Sequence, residues 1–394
     1  MARKTWLTIF VIYATGVLAS AQVGKLSALM PLMQRDLALD LTAAALLVSL
    51  IEAGGASLGL VAGTAVRRFG FKRALMAGVG LLAVAGLCAA QASDAWEFFI
   101  WRSLESAGYL AVVVAAPTLM AVAAGPADRR TALALWTTFF PVGFALGSMA
   151  AGAAADWLSW RAALAGSGML AVLMLLAASG LPACPDSHRG KDAGHGRLPA
   201  GAWYLSLGFG CYTSFEVGML AMLPAYFTGQ AGVPASTAGL VTGLASLATI
   251  AGAVCAVPAI RSGRGSTTLT AAGIALPAAM LFAVFAPAGD WRLAAAVAIL
   301  ANAVSGIVPA LTFARLPDVA GSAGNMAVAN GLIAQCGAAG SLIGPPLLAA
   351  CAVHWGWPSA AAAGAAASLI CAGFLAAAGR RPVPARGIGR RPAS

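Results

Sequence analysis

Five ionisable side chains lie inside long apolar runs of this 394-residue chain: Lys25, Glu52, Arg102, Glu105 and Glu216. A Lys, Arg or Asp at the centre of a membrane-inserted helix costs about 2.5–3.5 kcal/mol, so such a group needs a partner or a function. A carboxylate in an apolar cavity favours its protonated form, whereas a neighbouring cation favours the charged form. These residue types therefore predict proton exchange and recognition of a charged group in a weakly hydrated environment.

The spacing of these residues suggests their partners. Arg102 and Glu105 are three residues apart and share one helix face, so they form either a structural ion pair or a substrate contact. Glu52 has no partner close in sequence and is one candidate partner for Lys25. Glu216 is the other candidate, and the sequence does not rank the two.

An apolar phrase occurs twice, as VGKLSALMP at 23–31 and VGMLAMLP at 217–224. A shift of 194 residues aligns their first halves and makes Glu216 the counterpart of Gln22. Because residues three apart share a helix face, we expect Gln22 and Lys25 to face Glu216 across one aqueous pathway. The alternative for Lys25 is that its ammonium extends to the outer surface.

Composition identifies the elements that must position these groups. The chain is 60% hydrophobic and 9% charged, whereas soluble domains carry about 25% charged residues. One membrane-spanning helix needs about 20 apolar residues. Stretches such as LMAGVGLLAVAGLCAA lack the alternation of barrel strands, so an all-α membrane protein is predicted. Its twelve predicted spans are 6–32, 42–65, 74–92, 98–123, 131–155, 162–182, 201–227, 236–259, 268–286, 293–314, 326–353 and 358–378.

Basic residues predict the orientation. With the N-terminus in the cytoplasm, nineteen of the 24 Lys and Arg residues fall in cytoplasmic segments, against three outside. The positive-inside rule therefore predicts that both termini are cytoplasmic. The net charge of +11 then faces anionic lipid headgroups, and no nucleic-acid partner is expected. The first apolar run is too long for a signal peptide, so we expect no cleaved leader.

The repeat indicates a tandem duplication. A shift of 197 places Gly143 and Gly147 on Gly340 and Gly344. Parallel repeats of six helices are related by an axis along the membrane normal, so we expect two six-helix bundles related by a pseudo-two-fold axis. The predicted units are an N-terminal bundle (1–183), a cytoplasmic linker (184–198), a C-terminal bundle (199–379) and a basic cytoplasmic tail (380–394).

The loop GTAVRRFGFKR at 63–73 resembles the signature of the major facilitator superfamily. In that family an acidic residue follows the first glycine and is thought to hold a conformational latch. This chain has Arg67 in the acidic position, which puts that latch in doubt. RSLESAG at 102–108 is similar to the family's arginine-containing fourth helix. The residues that fit the loop signature are Gly63, Arg68, Gly70, Lys72 and Arg73.

Two further stretches bear on the direction of transport. PVGFALG at 141–147 departs from the Gly-Pro form that the family's antiporters carry, because Phe140 precedes the proline. GKLSALMPLMQRDL at 24–37 resembles the cyanate and nitroimidazole transporter branch. The absence of the antiporter form favours uptake over export.

The resemblance implies a secondary transporter that moves a small organic solute, anionic or zwitterionic, by alternating access. Proton symport is the expected coupling, and proton-driven efflux of drugs or a siderophore is the alternative. An intrinsic-membrane enzyme is disfavoured because the sequence lacks nucleotide-binding, HExxH and GxSxG motifs. Besides the charged residues, we expect Tyr212, Asn302 and Gln335 to line the pathway.

No cofactor and no metal site are expected. The seven cysteines are scattered without CxxC spacing, and His188 and His195 fall in the polar linker and are interpreted as solvated. The composition is rich in alanine, glycine and arginine, which is typical of a GC-rich bacterial genome. We therefore expect a monomer in a bacterial inner membrane, with protons and the small-molecule substrate as its partners.

Overall fold

A computed structural model describes residues 2–182, 198–262, 266–286, 290–320 and 323–380. All regular elements in these ranges are helical, as the apolar composition predicts. The first half contains α1 (Ala2–Asp36), α2 (Leu41–Ser49), a 3₁₀ turn (Leu50–Glu52), α3 (Ala53–Phe69), α4 (Phe71–Ala89), α5 (Ala95–Trp136), α6 (Phe139–Trp157) and α7 (Trp160–Ser179).

The second half is built from helices of similar length. His188, His195 and most of the predicted linker and tail lie outside the described residues. The second half contains α8 (Ala200–Ala231), α9 (Ala235–Ser262), α10 (Ser266–Val284), α11 (Trp291–Ser305), α12 (Ile307–Ala320), α13 (Ala323–Trp355) and α14 (Trp357–Gly379).

Ten helical segments in the described part are long and apolar enough to cross a bilayer. The predicted seventh and ninth spans, in α8 and α10, are not among these ten. The apolar part of α10, Thr268–Val284, is shorter than the others. The protein is therefore a multi-pass helical membrane protein, and the number twelve stays a prediction.

The fourth and fifth predicted spans are joined differently from the prediction. Residues 124–130, predicted as a loop, continue α5 with a break only at Gly125, whose φ of 65° lies in the left-handed region that favours glycine. Pro126 follows as the first residue of the next turn, where a missing N–H costs nothing. The helical path is then interrupted at Thr137–Thr138, inside the predicted span 131–155.

The two halves repeat the same close helix contact. Ser20 donates a hydrogen bond to the Phe140 carbonyl at 2.7 Å, and Thr213 donates one to the Gly337 carbonyl at 2.7 Å. The contacts beside them repeat too: a Cβ on Gly147 would overlap the Ala21 carbonyl, and a Cβ on Gly344 would overlap the Ser214 carbonyl. Small residues thus allow α1 to pack on α6 and α8 to pack on α13, as expected for membrane helices.

These repeated bonds fix the register between the halves. The offset is 193 residues from Ser20 to Thr213 and 197 from Phe140 to Gly337. An offset of 193 also joins Pro31 to Pro224. The expected pairing of Gln22 with Glu216, at an offset of 194, is therefore wrong by one residue, because the second copy of the phrase is one residue shorter.

The halves meet along three helix contacts. α1 crosses α8 where Ser27 donates to the carbonyls of Leu220 and Ala221 at 3.2 and 3.1 Å. Leu220 is the counterpart of Ser27 at the offset of 193, so corresponding positions of the two halves meet at this contact. The other two contacts, α6 with α9 and α13 with α2 and α3, are counterparts of each other.

Helices α4 and α7 are antiparallel and bind each other's C-terminal ends. Lys72, at the start of α4, donates to the carbonyls of Ser179 and Leu181 beyond α7. Arg161, at the start of α7, donates to the carbonyls of Ala90 and Ala92 beyond α4, at 3.2 and 2.6 Å. These cations satisfy carbonyls that lack intrahelical partners and oppose the negative ends of the helix dipoles.

Candidate functional site

Arg102 is the centre of a buried polar cluster in the first half. Its side chain is completely buried. The guanidinium donates to the carbonyls of Leu47 (2.9 Å), Val48 (2.7 Å) and Gln22 (3.1 Å) and to Glu105 Oε2 at 2.6 Å. Arg102 and Glu105 thus form an ion pair, which is one of the two alternatives that their spacing left open.

The local geometry of the second span supplies two of those carbonyls. In a regular α-helix the carbonyls of Leu47 and Val48 would accept from the amides of residues 51 and 52. Residues 50–52 instead form a 3₁₀ turn, and the amide that follows it, that of Ala53, bonds three residues back to the Leu50 carbonyl. The planar, multi-donor guanidinium can bind both carbonyls at once, which an ammonium cannot do.

Lys25 binds the same carboxylate from α1. Lys25 Nζ lies 3.0 Å from Glu105 Oε1, and both side chains are almost fully buried. Lys25 also donates to the Gln22 side-chain oxygen, which accepts a further bond from Ser167 of α7 at 3.0 Å. The partner of Lys25 is therefore neither Glu52 nor Glu216, the two residues that the sequence analysis considered.

The cluster of Lys25, Arg102 and Glu105 carries two positive charges and one negative charge. Glu52, 5% exposed, lies within electrostatic reach of Arg102 and beside the hydroxyl of Tyr109. An ionised Glu52 makes the group neutral, and a protonated Glu52 leaves it with one positive charge. Because uncompensated charge is expensive in a buried site, the protonation of Glu52 changes the electrostatics of the whole cluster.

Glu216 stands apart from this cluster. It lies on α8, is 7% exposed, and makes no hydrogen bond or ion pair with any described residue. Burial of a carboxylate without a partner favours the neutral acid. Glu216 is therefore the buried acid with the fewest protein contacts to hold it in the charged form.

Tyr212 of α8 lies close to Glu216 and connects it to polar groups of α11. Tyr212 is one turn before Glu216 on α8 and within electrostatic reach of it, and its hydroxyl faces Ser305. Asn302, one turn before Ser305, is fully buried and donates to the Ala298 carbonyl at 2.9 Å. The Asn302 side-chain oxygen has no partner in the described part. A buried acceptor without a partner indicates an unseen water or ligand donor.

Gln335 is not part of either group of charges. It is half-buried on α13, and its amide contacts the backbone of α3 in the other half. These hydrogen bonds join the two halves, and a role for Gln335 in lining the pathway stays a prediction.

The residues of the predicted latch loop are distributed over two environments. Gly70 has φ 95°, a conformation that favours glycine, and separates α3 from α4. Lys72 binds the end of α7. Arg67 and Arg68 are exposed and make no hydrogen bond or ion pair with described residues. A latch role for Gly63, Arg67, Arg68 and Arg73 therefore stays a prediction.

No group of three or more His, Cys, Asp or Glu side chains within the described residues is arranged to hold a metal ion.

Most of the chain matches one protein family. The sequence profile of the Major Facilitator Superfamily matches residues 6–345. The chain belongs to that superfamily. It is accordingly a transporter and not an enzyme.

Solved structures of superfamily transporters share its fold. A bacterial homologue of the human lysosomal transporter Spinster, in an inward-facing and occupied conformation, superposes with a TM-score of 0.77. That match covers 94% of this chain and 96% of the homologue at 13% identity. The nucleoside transporter NupG gives a TM-score of 0.73 at 15% identity, covering 94% of this chain and 99% of NupG. At these identities the likeness concerns the fold alone.

One curated superfamily relative is similar in sequence. The puromycin resistance protein pur8 of Streptomyces alboniger is 26% identical over 180 residues. The match covers 45% of this chain and 36% of pur8, so it spans little more than a third of that relative's length.

Proposed function

We propose that this superfamily member exports organic cations in exchange for protons, with Glu216 as the carboxylate for which the two compete. The observation that carries the proposal is the contrast between the two groups of charges. Lys25 and Arg102 are bound by Glu105 and by backbone carbonyls. Glu216 has no bound partner among the described residues.

This contrast argues against the anionic substrate that the sequence favoured. To bind an anion, Lys25 would have to leave Glu105, which would then keep only one cation in a buried site. Giving up a buried ion pair before the anion supplies a replacement is unfavourable. A cationic substrate carries no such penalty, because Glu216 gains a partner when the substrate binds.

A protonated amine also matches the groups near Glu216. Its N–H groups can donate to the carboxylate of Glu216. The ring of Tyr212 adds an aromatic surface for the cation. The similarity to a puromycin resistance protein supports the same substrate class.

The proposed exchange needs one acid that is accessible in turn to the solutions on the two sides of the membrane. Protonation of Glu216 removes its charge and releases the cation, and deprotonation prepares it to bind the next cation. We propose that the halves act as two six-helix bundles, residues 1–183 and 199–379, that rock about the contact of α1 with α8. The repeated contacts of α1 with α6 and of α8 with α13 support this arrangement.

We further propose that the chain lies as a monomer in a bacterial inner membrane with both termini in the cytoplasm, as the distribution of basic residues supports. Proton-coupled uptake of an organic anion is the second candidate function, and the sequence PVGFALG in α6 favours it.

Transport assays in vesicles distinguish the two candidates. Purified protein is reconstituted with an imposed pH gradient, and ethidium and benzoate are offered as the cationic and anionic probes. We expect gradient-driven movement of ethidium, its loss in Glu216→Gln, and wild-type rates in Glu97→Gln, a variant of a carboxylate at the outer end of α5. Movement of benzoate without ethidium would contradict the proposal.

A further inference from the structure

Gln335 holds two backbone groups of the opposite half. Its Nε2 donates to the Ala56 carbonyl at 2.8 Å, and its Oε1 accepts from the Leu60 amide at 3.1 Å. Gly59 allows this approach, since a Cβ there would lie 3.0 Å from the Cβ of Gln335. The contact therefore joins α13 to α3 through one side chain.

The two groups that Gln335 binds are four residues apart on one helix. In a regular α-helix the amide of Leu60 would donate to the carbonyl of Ala56. Only a side chain that both donates and accepts can bind both members of such a pair, and glutamine does so. A glutamate of the same length accepts but, when ionised, does not donate, and methionine does neither well.

The same stretch of the second span is held from the opposite side by α5. Ser106 Oγ accepts from the Gly54 amide at 2.8 Å, and Arg102 binds the carbonyls of Leu47 and Val48. The 3₁₀ turn lies between these attachments. A 3₁₀ segment within a helix often marks a hinge. Residues 47–60 connect the Arg102–Glu105 cluster at one end with the Gln335 contact between the halves at the other.

The residue of the first half that corresponds to Gln335 makes a different hydrogen bond. At the offset of 197 residues, Gln335 corresponds to Thr138, which bonds with Tyr13 of its own half at 2.8 Å. The bidentate bond to the opposite half therefore belongs to one of the two symmetry-related interfaces. The sequence duplication does not account for it.

We propose that Gln335 is a positioning residue that couples contact between the halves to the Arg102–Glu105 cluster through residues 47–60. This inference rests on the alternating access of the proposed function. In the conformer described here the amide of Gln335 stabilises the closed contact. When the halves separate, Ala56 and Leu60 keep each other as helical partners and Gln335 is released.

Distances between spin labels in nanodiscs test the proposal. One labelled pair is placed at Arg35 and Trp355, at the outer ends of α1 and α13, and another at Arg68 and Met326, at the inner ends of α3 and α13. All four positions are exposed. We expect wild-type protein to show two distance populations whose ratio depends on pH.

Gln335→Met should lower the ratio of the described conformer to the other roughly tenfold, since both hydrogen bonds of the Gln335 amide are lost. Gln335→Glu should give a smaller shift in the same direction. Gly59→Ala disrupts the same contact without changing its polarity and should also shift the ratio. Gly373→Ala, on an exposed face of α14 with no atom within 4 Å of the added Cβ, serves as the control.

A separate measurement tests whether the Gln335 contact is coupled to the charged cluster. The effects of Gln335→Met and Glu52→Gln on the population ratio should be non-additive, and Gln335→Met should move the pH at which the wild-type populations are equal. A purely structural role would lower the unfolding temperature and leave this ratio and this pH unchanged. Unchanged ratios in Gln335→Met and Gly59→Ala would overturn the proposal. A single distance population in wild-type protein under all conditions would instead refute alternating access itself.

Discussion

Lys25 Nζ lies 3.0 Å from Glu105 Oε1, although eighty residues separate the two in sequence. The other carboxylate oxygen of Glu105 accepts from Arg102 at 2.6 Å. One buried acid thus compensates two buried cations from two helices. This arrangement explains why a lysine is tolerated in the first copy of the repeated phrase.

The first prediction concerns the stability of this cluster. Glu105→Gln leaves two cations without their counter-charge and should lower the free energy of unfolding by about 3–5 kcal/mol. Lys25→Met leaves Glu105 with Arg102 and should cost much less. Thermal unfolding in detergent measures both, with Glu97→Gln as the control. Equal losses in the two cluster variants would contradict the assignment.

The second prediction separates geometry from charge at Arg102. Arg102→Lys keeps the positive charge, but a single ammonium cannot reach the carbonyls of Leu47, Val48 and Gln22 together. At least one buried carbonyl then lacks a donor, which costs about 1–3 kcal/mol. Arg68→Lys, an exposed change on α3, should be neutral in the same unfolding assay. A neutral Arg102→Lys would show that charge alone is required.

The third prediction tests the repeated contacts. Gly147→Ala and Gly344→Ala both place a Cβ against a backbone carbonyl of the neighbouring helix. Because helix backbones cannot yield as a flexible side chain can, each change should destabilise the protein by about 1–3 kcal/mol. Gly166→Ala, where no atom lies within 4 Å of the added Cβ, should not. A harmless change at either packed glycine would argue against equivalent contacts in the two halves.

The fourth prediction concerns the helix ends bound by Lys72 and Arg161. Lys72→Met should speed amide hydrogen exchange at residues 176–181, and Arg161→Met should speed it at residues 88–92. A lost bond of about 1 kcal/mol corresponds to roughly fivefold faster exchange. Each variant serves as the control for the other, since the two sites are at opposite ends of α4 and α7. Exchange that rises equally at both ends would indicate global loosening instead.

Much of the fold is predictable because membrane helices are long and apolar. Most predicted spans coincide with helices, although the fifth is interrupted at Thr137–Thr138. The ion pair of Arg102 with Glu105 is one of the two alternatives that their spacing of three residues allows. The residue pattern along a single helix could not predict the ion pair of Lys25 with Glu105, because that pair depends on how α1 packs on α5. The predicted spans leave residues 124–130 as a loop, yet the helix is broken only at Gly125.

The candidate site was predictable in its residue types and not in its pairing. Sequence alone identified Glu216 as a membrane-embedded acid, and its lack of partners depends on the tertiary packing. The register between the halves was wrong by one residue because the alignment began at the valines, whereas the prolines and hydrogen bonds keep an offset of 193. Nothing in the sequence marked the 3₁₀ turn that exposes carbonyls to Arg102, or the bidentate bond of Gln335.

The central claim is that a proton and an organic cation compete for Glu216. Its most direct test is proton release on addition of ethidium to purified protein in weakly buffered detergent solution, at a pH where Glu216 is protonated. The account predicts about one proton released per ethidium bound in wild-type protein and none in Glu216→Gln, with Glu97→Gln like wild type. Equal proton release from wild type and Glu216→Gln would contradict it.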